Sequence, residues 1–153
     1  MNRLLYILAI LIPLLTTLPV IGDPSPSATS DWSQAARDAK VSQSPIIILY
    51  TAQTCGYCER LKQEVLIPMF GHTVKTAPAL LKEVDINSGG KMIDFDGEPI
   101  RSRQFKQRYH VFATPTLLIL DSSGEPLTDP IVGYDSKDRY QSRLERLLEG
   151  FHI

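Results

Sequence analysis

Hydrophobic positions change period several times along this chain, and each change marks an element. Residues 4–15 form an almost unbroken apolar run behind Arg3. Thr16, Thr17 and Pro19 then weaken the run, and Val20, Ile21 and Gly22 follow where a signal peptidase would read the chain, although no Ala-x-Ala is present. Residues 1–22 are therefore expected to be a signal peptide or, if uncut, an N-terminal anchor, since residues 4–21 are just long enough to span a bilayer. Both readings place the remainder outside the cytoplasm. A lipid-modified leader is excluded, because residues 1–22 hold no cysteine. The Pro- and Ser-rich residues 23–30 are expected to be a linker, and residues 31–153 the domain.

Within that domain, Asp31 or Ser30 can cap a helix whose apolar face is Trp32, Ala35, Ala36 and Ala39, with Ser44-Pro45 as its stop. "IIILYTA" at 46–52 is rich in β-branched residues and suits a strand buried on both faces. From about residue 55 to 69 the pattern turns helical, with Leu61, Val65 and Leu66 on one face and Pro68 marking an end or a kink. "ALLKEVDI" at 79–86 predicts a second strand, residues 87–90 a turn and residues 94–102 a loop. Ser102 can cap a short helix carrying Phe105 and Tyr109. "TLLILD" and "PIVGY" flank a Ser122-Ser123-Gly124 turn as a hairpin. Asp135 or Ser136 can cap a last helix with Tyr140, Leu144, Leu147, Leu148 and Phe151 buried. The order α-β-α-β-α-β-β-α predicts an α/β fold with a central mixed sheet flanked by helices.

Composition narrows the function more than the fold. At 153 residues the chain allows one domain plus a leader, large enough to bury roughly two-thirds of its unfolded surface without staples. A formal charge of −1 with no basic stretch gives no reason to expect a nucleic-acid partner. Two cysteines are too few for a disulfide scaffold, so Cys55 and Cys58 need a local explanation.

That explanation is sought in "TCGYCE", residues 54–59. Structural zinc needs four ligands, and the only others at hand are scattered histidines such as His72 and His110. A haem attachment site needs histidine after the second cysteine, where Glu59 stands. Asp94-Phe95-Asp96-Gly97 resembles half a calcium loop but lacks the closing Glu. A purely structural disulfide would close too small a loop to remove much unfolded-state entropy. A redox couple suits the position better. Cys55 falls where a strand gives way to a helix, and the unpaired N–H groups there favour thiolate over thiol. Cys58, one turn on, is placed to attack a mixed disulfide. Glu59 complements the helix dipole, with Lys62 as a candidate partner, and it also opposes a thiolate on Cys55.

The strand, "CGYC" and helix, followed much later by "FATPTLLIL", resemble the thioredoxin fold over about residues 44–150. The stretch from 93 to 134 is similar to small exported thioredoxin-like proteins of bacteria, the SoxW-type group among them. "TCGYC" with Thr before a proline also resembles the catalytic domain of periplasmic disulfide isomerase. The resemblance implies a cis bond at Thr114-Pro115, with these two residues docking substrate and Gly56-Tyr57 tuning the pair. Where cytoplasmic thioredoxin has a buried Asp, six residues before its first cysteine, this chain has Leu49. Lys82, Glu83 and Asp85 on the next strand are the candidate replacements.

These readings converge on an exported, periplasmic thiol–disulfide oxidoreductase that needs neither metal nor organic cofactor. Cys55 is expected as nucleophile and Cys58 as resolving thiol, working as a reductant of exported proteins that bear disulfides or thiols. A membrane electron donor such as a thiol–disulfide transporter would recharge it. The rivals are isomerase or oxidase activity on the same residues, and a non-catalytic polypeptide-binding module with an inert disulfide.

Overall fold

The computed structural model describes residues 27–70 and 79–151. The leader at 1–22, the first part of the linker and His72 lie outside the described residues. At the centre is β2 (Ile46–Thr51), buried at every position. Parallel β3 (Leu80–Asp85) flanks it on one side and antiparallel β6 (Thr116–Leu120) on the other. Two short strands complete a five-stranded mixed sheet in the order β1-β3-β2-β6-β7. They are β1 (Ser27–Ala28), parallel to β3, and β7 (Ile131–Val132), antiparallel to β6. The stretch expected to be a linker thus contributes an edge strand.

The period-2 alternation of a strand sends neighbours to opposite faces, so one apolar run feeds two cores. Ile46, Ile48 and Tyr50 join Leu118 and Leu120 on one face, beneath α1 (Trp32–Ser42) and α4 (Ser102–Arg108). Ile47 and Leu49 join Leu117 and Ile119 on the other, beneath α5 (Lys137–Glu149) and the helix that follows β2. Asp31 caps α1, its carboxylate accepting the Gln34 N–H at 3.0 Å. Gln43 ends the helix in the left-handed region at φ 53°, just ahead of Ser44-Pro45. Trp32 stacks on Phe105 with ring centroids 5.0 Å apart, pinning α1 to α4.

The helix after β2 is not uniform. It runs as α2 (Gly56–Leu61), a π-helical turn (Lys62–Leu66) and α3 (Ile67–Phe70). Pro68 neither ends it nor stands at its close. Proline lacks the N–H an α-helical ladder needs, and the wide turn just before it, where the Ile67 N–H reaches the Lys62 carbonyl, shifts the ladder's register.

Two further expectations are corrected. Residues 94–102 are not all loop: β4 (Lys91–Ile93) and β5 (Pro99–Arg101) pair as an antiparallel hairpin. Its turn is closed by the Gly97 N–H on the Asp94 carbonyl at 3.1 Å, with Gly97 at φ 90°. Three-residue strands carry too little alternation to be read from sequence. Ser102 is the first helical residue of α4 rather than its cap, because its hydroxyl is drawn to the Ser88 carbonyl.

Candidate active site

β2 delivers the chain to the site. After Thr51 it turns, the Cys55 N–H donating to the Ala52 carbonyl at 3.1 Å, and Cys55 becomes the N-cap of α2 in extended conformation. The N–H of Cys58 donates to the Cys55 sulfur at 3.1 Å, in the place where a serine or aspartate oxygen would cap a helix. Such a donor, together with the positive end of the helix, stabilises a sulfur anion once the pair is reduced.

Cys55 and Cys58 are joined by a disulfide, with Cα atoms 5.2 Å apart. The two sulfurs are not equivalent: Cys55 is half-buried, whereas Cys58 is wholly inaccessible at 0% exposure. Between them Gly56 has open space where a Cβ would stand, and Tyr57 is 59% exposed. Only the first sulfur is therefore open to a polypeptide arriving from solvent.

The residues before β6 reach the same end of the sheet. β2 and β6 are antiparallel with Tyr50 opposite Thr116, so the end of β2 and the start of β6 are neighbours. Thr114, half-buried, and Pro115, buried, precede that start, and the peptide bond between them is cis. The Pro115 carbonyl accepts the Gly133 N–H at 2.8 Å, and the Thr116 hydroxyl donates to Ala113 at 2.8 Å. Topology thus brings a segment some sixty residues downstream of the cysteines to their end of the sheet.

Two charged clusters surround the active-site helix, and sequence reasoning found only a corner of them. In the first, the Lys62 ammonium lies 2.7 Å from Glu59 and 3.3 Å from Glu83, and the Thr51 hydroxyl donates to Glu83 at 2.9 Å. Burial lowers the Lys62 pKa, but its hydrogen bond to the Glu59 carboxylate and the charge of Glu83 outweigh it and leave the net shift upward. In the second, the Tyr134 hydroxyl donates to Glu64 on the π turn. Arg60 pairs with the same carboxylate at 3.0 Å and lies over the Tyr134 ring. Burial, and then the Glu64 carboxylate, push the Tyr134 phenol up to about 12. Tyr134 follows Gly133, so this cluster ties the Pro115 segment to the helix that carries the cysteines. Lys62 and Glu83 are 21 residues apart and Glu64 and Tyr134 are 70 apart. No local pattern could announce either contact.

Other candidates fall elsewhere. His110 is exposed at the end of α4, at φ 51°. Asp94 is buried against Arg108. Among the described residues no group of three or more His, Cys, Asp or Glu side chains is arranged to hold a metal ion. None of the described helices is long and apolar enough to cross a membrane.

Comparison with known proteins places this geometry. A family profile described as a thioredoxin-like domain matches residues 32–148. Thioredoxin O2 from Arabidopsis thaliana, in its oxidized state, superposes with a TM-score of 0.54 at 22% identity, over 82% of this chain and 96% of that one. A candidate disulphide isomerase from Bacteroides thetaiotaomicron gives 0.55 at 20% identity, over 84% and 98%. A thioredoxin-fold protein from Helicobacter pylori gives 0.53 at 20% identity, over 70% of each chain. At these identities the likeness to solved structures is one of fold. No curated protein matches the sequence.

Proposed function

This chain belongs to the thioredoxin-like domain family and is a thiol–disulfide oxidoreductase, and from that premise we propose that it works outside the cytoplasm as a reductant of disulfides in exported proteins. The observation that carries the exchange chemistry is the unequal exposure of the two sulfurs at the start of α2. In the reduced protein Cys55, capped by the Cys58 N–H, attacks a substrate disulfide and forms a mixed disulfide, releasing the first substrate thiol. Cys58 then attacks the Cys55 sulfur, the second substrate thiol departs, and the protein is left with the Cys55–Cys58 bond. Two electrons have passed to the substrate, with no cofactor between. A membrane thiol–disulfide transporter restores the dithiol. Thr114 and Pro115 offer backbone beside the cysteines for an extended substrate segment, and Gly56 leaves room for its approach.

The direction rests on electrostatics. Glu59 follows the pair directly and Glu83 lies beneath its helix. Carboxylates disfavour a strongly stabilised thiolate, and such stabilisation is what makes a dithiol an oxidant. Equilibration of the purified protein with reduced and oxidised glutathione tests this. A potential near that of reducing dithiols, about −270 mV, is expected, and one near −120 mV would make the protein an oxidant. Alkylation tests the class: Cys55 of the reduced protein should react rapidly below pH 7, and a pair inert at every pH would point to a binding module instead.

A further inference from the structure

β7 ends the sheet, and beside it lies a groove that takes no part in the thiol exchange itself. The cavity is about 540 Å³ and runs between β7 and one flank of α5. Val132 and Gly133 line it on one side, and Arg139, Tyr140, Arg143 and Arg146 on the other. One end adjoins the docking segment, since the Gly133 N–H donates to the Pro115 carbonyl at 2.8 Å. Val132, on the sheet side, is 62% exposed although apolar.

Charge in the groove is one-sided. Among the described residues its lining holds a single carboxylate, Asp135, which pairs with Arg139 at 3.2 Å. Three guanidiniums against one carboxylate leave two positive charges in excess. Arg143 and Arg146 form no ion pair among the described residues. Burial raises the pKa of the Tyr140 phenol and the Arg143 charge opposes that rise, so this guanidinium lies close to the inner wall. The helix is not stabilised by the row. Spacings of four and three residues make the arginines neighbours on one face, where like charges repel. Arg139 also stands in the first turn of α5, where the helix dipole disfavours a cation. An anion from outside the chain would relieve both.

A free small anion gains little here, because each exposed ion pair is worth only a factor of about 1.4 to 5. A segment of substrate already held beside Pro115 meets the whole row at once. At a rise of 1.5 Å per residue the row is about 10 Å long, the length of about three residues of extended chain. Alternate residues of such a chain face the same side. We propose that this groove selects disulfide-bearing polypeptides with acidic residues at alternate positions flanking the reactive cysteine, Arg143 and Arg146 being the residues that set the preference. This rests on the exchange reading above and names the class of substrate it acts on. No bond is made or broken in the groove; the attraction raises the share of encounters that bring the substrate disulfide to Cys55.

The probes are three synthetic peptide disulfides, each a homodimer bridged through one cysteine. They differ only at alternate positions on both sides of that cysteine, which are Glu, Gln or Lys. The fully reduced chain is mixed with each peptide and its oxidation followed by mass spectrometry after acid quenching. Each rate is divided by that of dithiothreitol with the same peptide, which removes the peptide's intrinsic reactivity. The Glu peptide should be favoured over the Lys peptide by about tenfold at low ionic strength, the product of two or three exposed pairs. The advantage should shrink at about 1 M salt, where charges act over only about 3 Å. Arg143→Glu combined with Arg146→Glu should invert the order, and Arg143→Gln combined with Arg146→Gln, the milder change, should level it. Thermal unfolding of each variant checks that the fold is kept. Equal normalised rates for the Glu and Lys peptides with the unsubstituted protein would overturn the proposal, as would a preference that survives charge reversal. Failure of all three peptides to oxidise the reduced protein would instead overturn the exchange reading, and this proposal with it.

Discussion

Three glycines separate backbone strain from steric clash, and substituting each by alanine gives a graded prediction. Gly133 has φ 80° with open space where a Cβ would stand. Gly133→Ala should therefore cost only the left-handed penalty of an L-residue, about 1–2 kcal/mol. Gly124 has φ 88°, and a Cβ there would lie within 3.0 Å of three ring atoms of Phe95. That ring cannot easily retreat, being stacked against buried Trp32 at 5.8 Å and Phe105 at 6.1 Å. Nor can the turn move freely, since the Tyr109 hydroxyl donates to the Gly124 carbonyl at 2.8 Å. Overpacking adds about 1–3 kcal/mol to the strain, so Gly124→Ala should cost about 2–5 kcal/mol in all. Gly56, with no positive φ and open space, begins a helix; Gly56→Ala should be neutral or stabilising by up to about 1 kcal/mol. The assay is denaturant unfolding of the three oxidised variants, compared at constant m. If Gly124→Ala lost no more stability than Gly133→Ala, the aromatic stack would not be the rigid wall described, and the reasoning would fail.

Exchange of the two cysteines should be unequal in effect: Cys55→Ser should abolish disulfide reduction, whereas Cys58→Ser should accumulate a substrate adduct on Cys55, detectable by mass. Full multiple-turnover activity in Cys58→Ser would sink the two-thiol scheme. Burial pushes the Asp94 carboxyl up, but hydrogen bonds from Arg108 and the Phe95 N–H outweigh it and hold it below the usual carboxylate range. A lowered folded-state pKa means its stabilisation is present above the unfolded value and is lost as pH falls through the folded one. Asp94→Asn should cost about 1–2 kcal/mol at pH 7, discounted because Arg108 is partly solvated, and should flatten the acid limb of stability below about pH 4; an unchanged acid limb would show that the pair contributes nothing. Fractionation of producing cells should find the protein outside the cytoplasm with a mature start near Asp23, and full-length protein in the cytosol would contradict the export reading.

Periodicity sufficed for most of the scaffold. Short apolar runs and helical patterns in residues 31–69 and 116–151 carry enough local information to mark the long strands and helices, because a strand buried on both faces and a helix buried on one each leave an imprint on the sequence. The cysteine spacing at a strand-to-helix junction was likewise local. The β4–β5 hairpin was invisible because three-residue strands leave almost no imprint, and the π turn because the helical face of Leu61, Val65 and Leu66 reads alike in either winding. What only the tertiary structure decided is which distant groups meet. Lys82, Glu83 and Asp85 are equivalent as letters. The register of β3 against β2 turns Lys82 to the far face and Glu83 towards the active-site helix, since a one-residue step in a strand exchanges its faces. Gly133 meeting Pro115, and Tyr134 meeting Glu64, depend in the same way on how β7 and the helix close around the sheet. A linear pattern encodes each element's buried face; the partners on that face are fixed only when the faces pack.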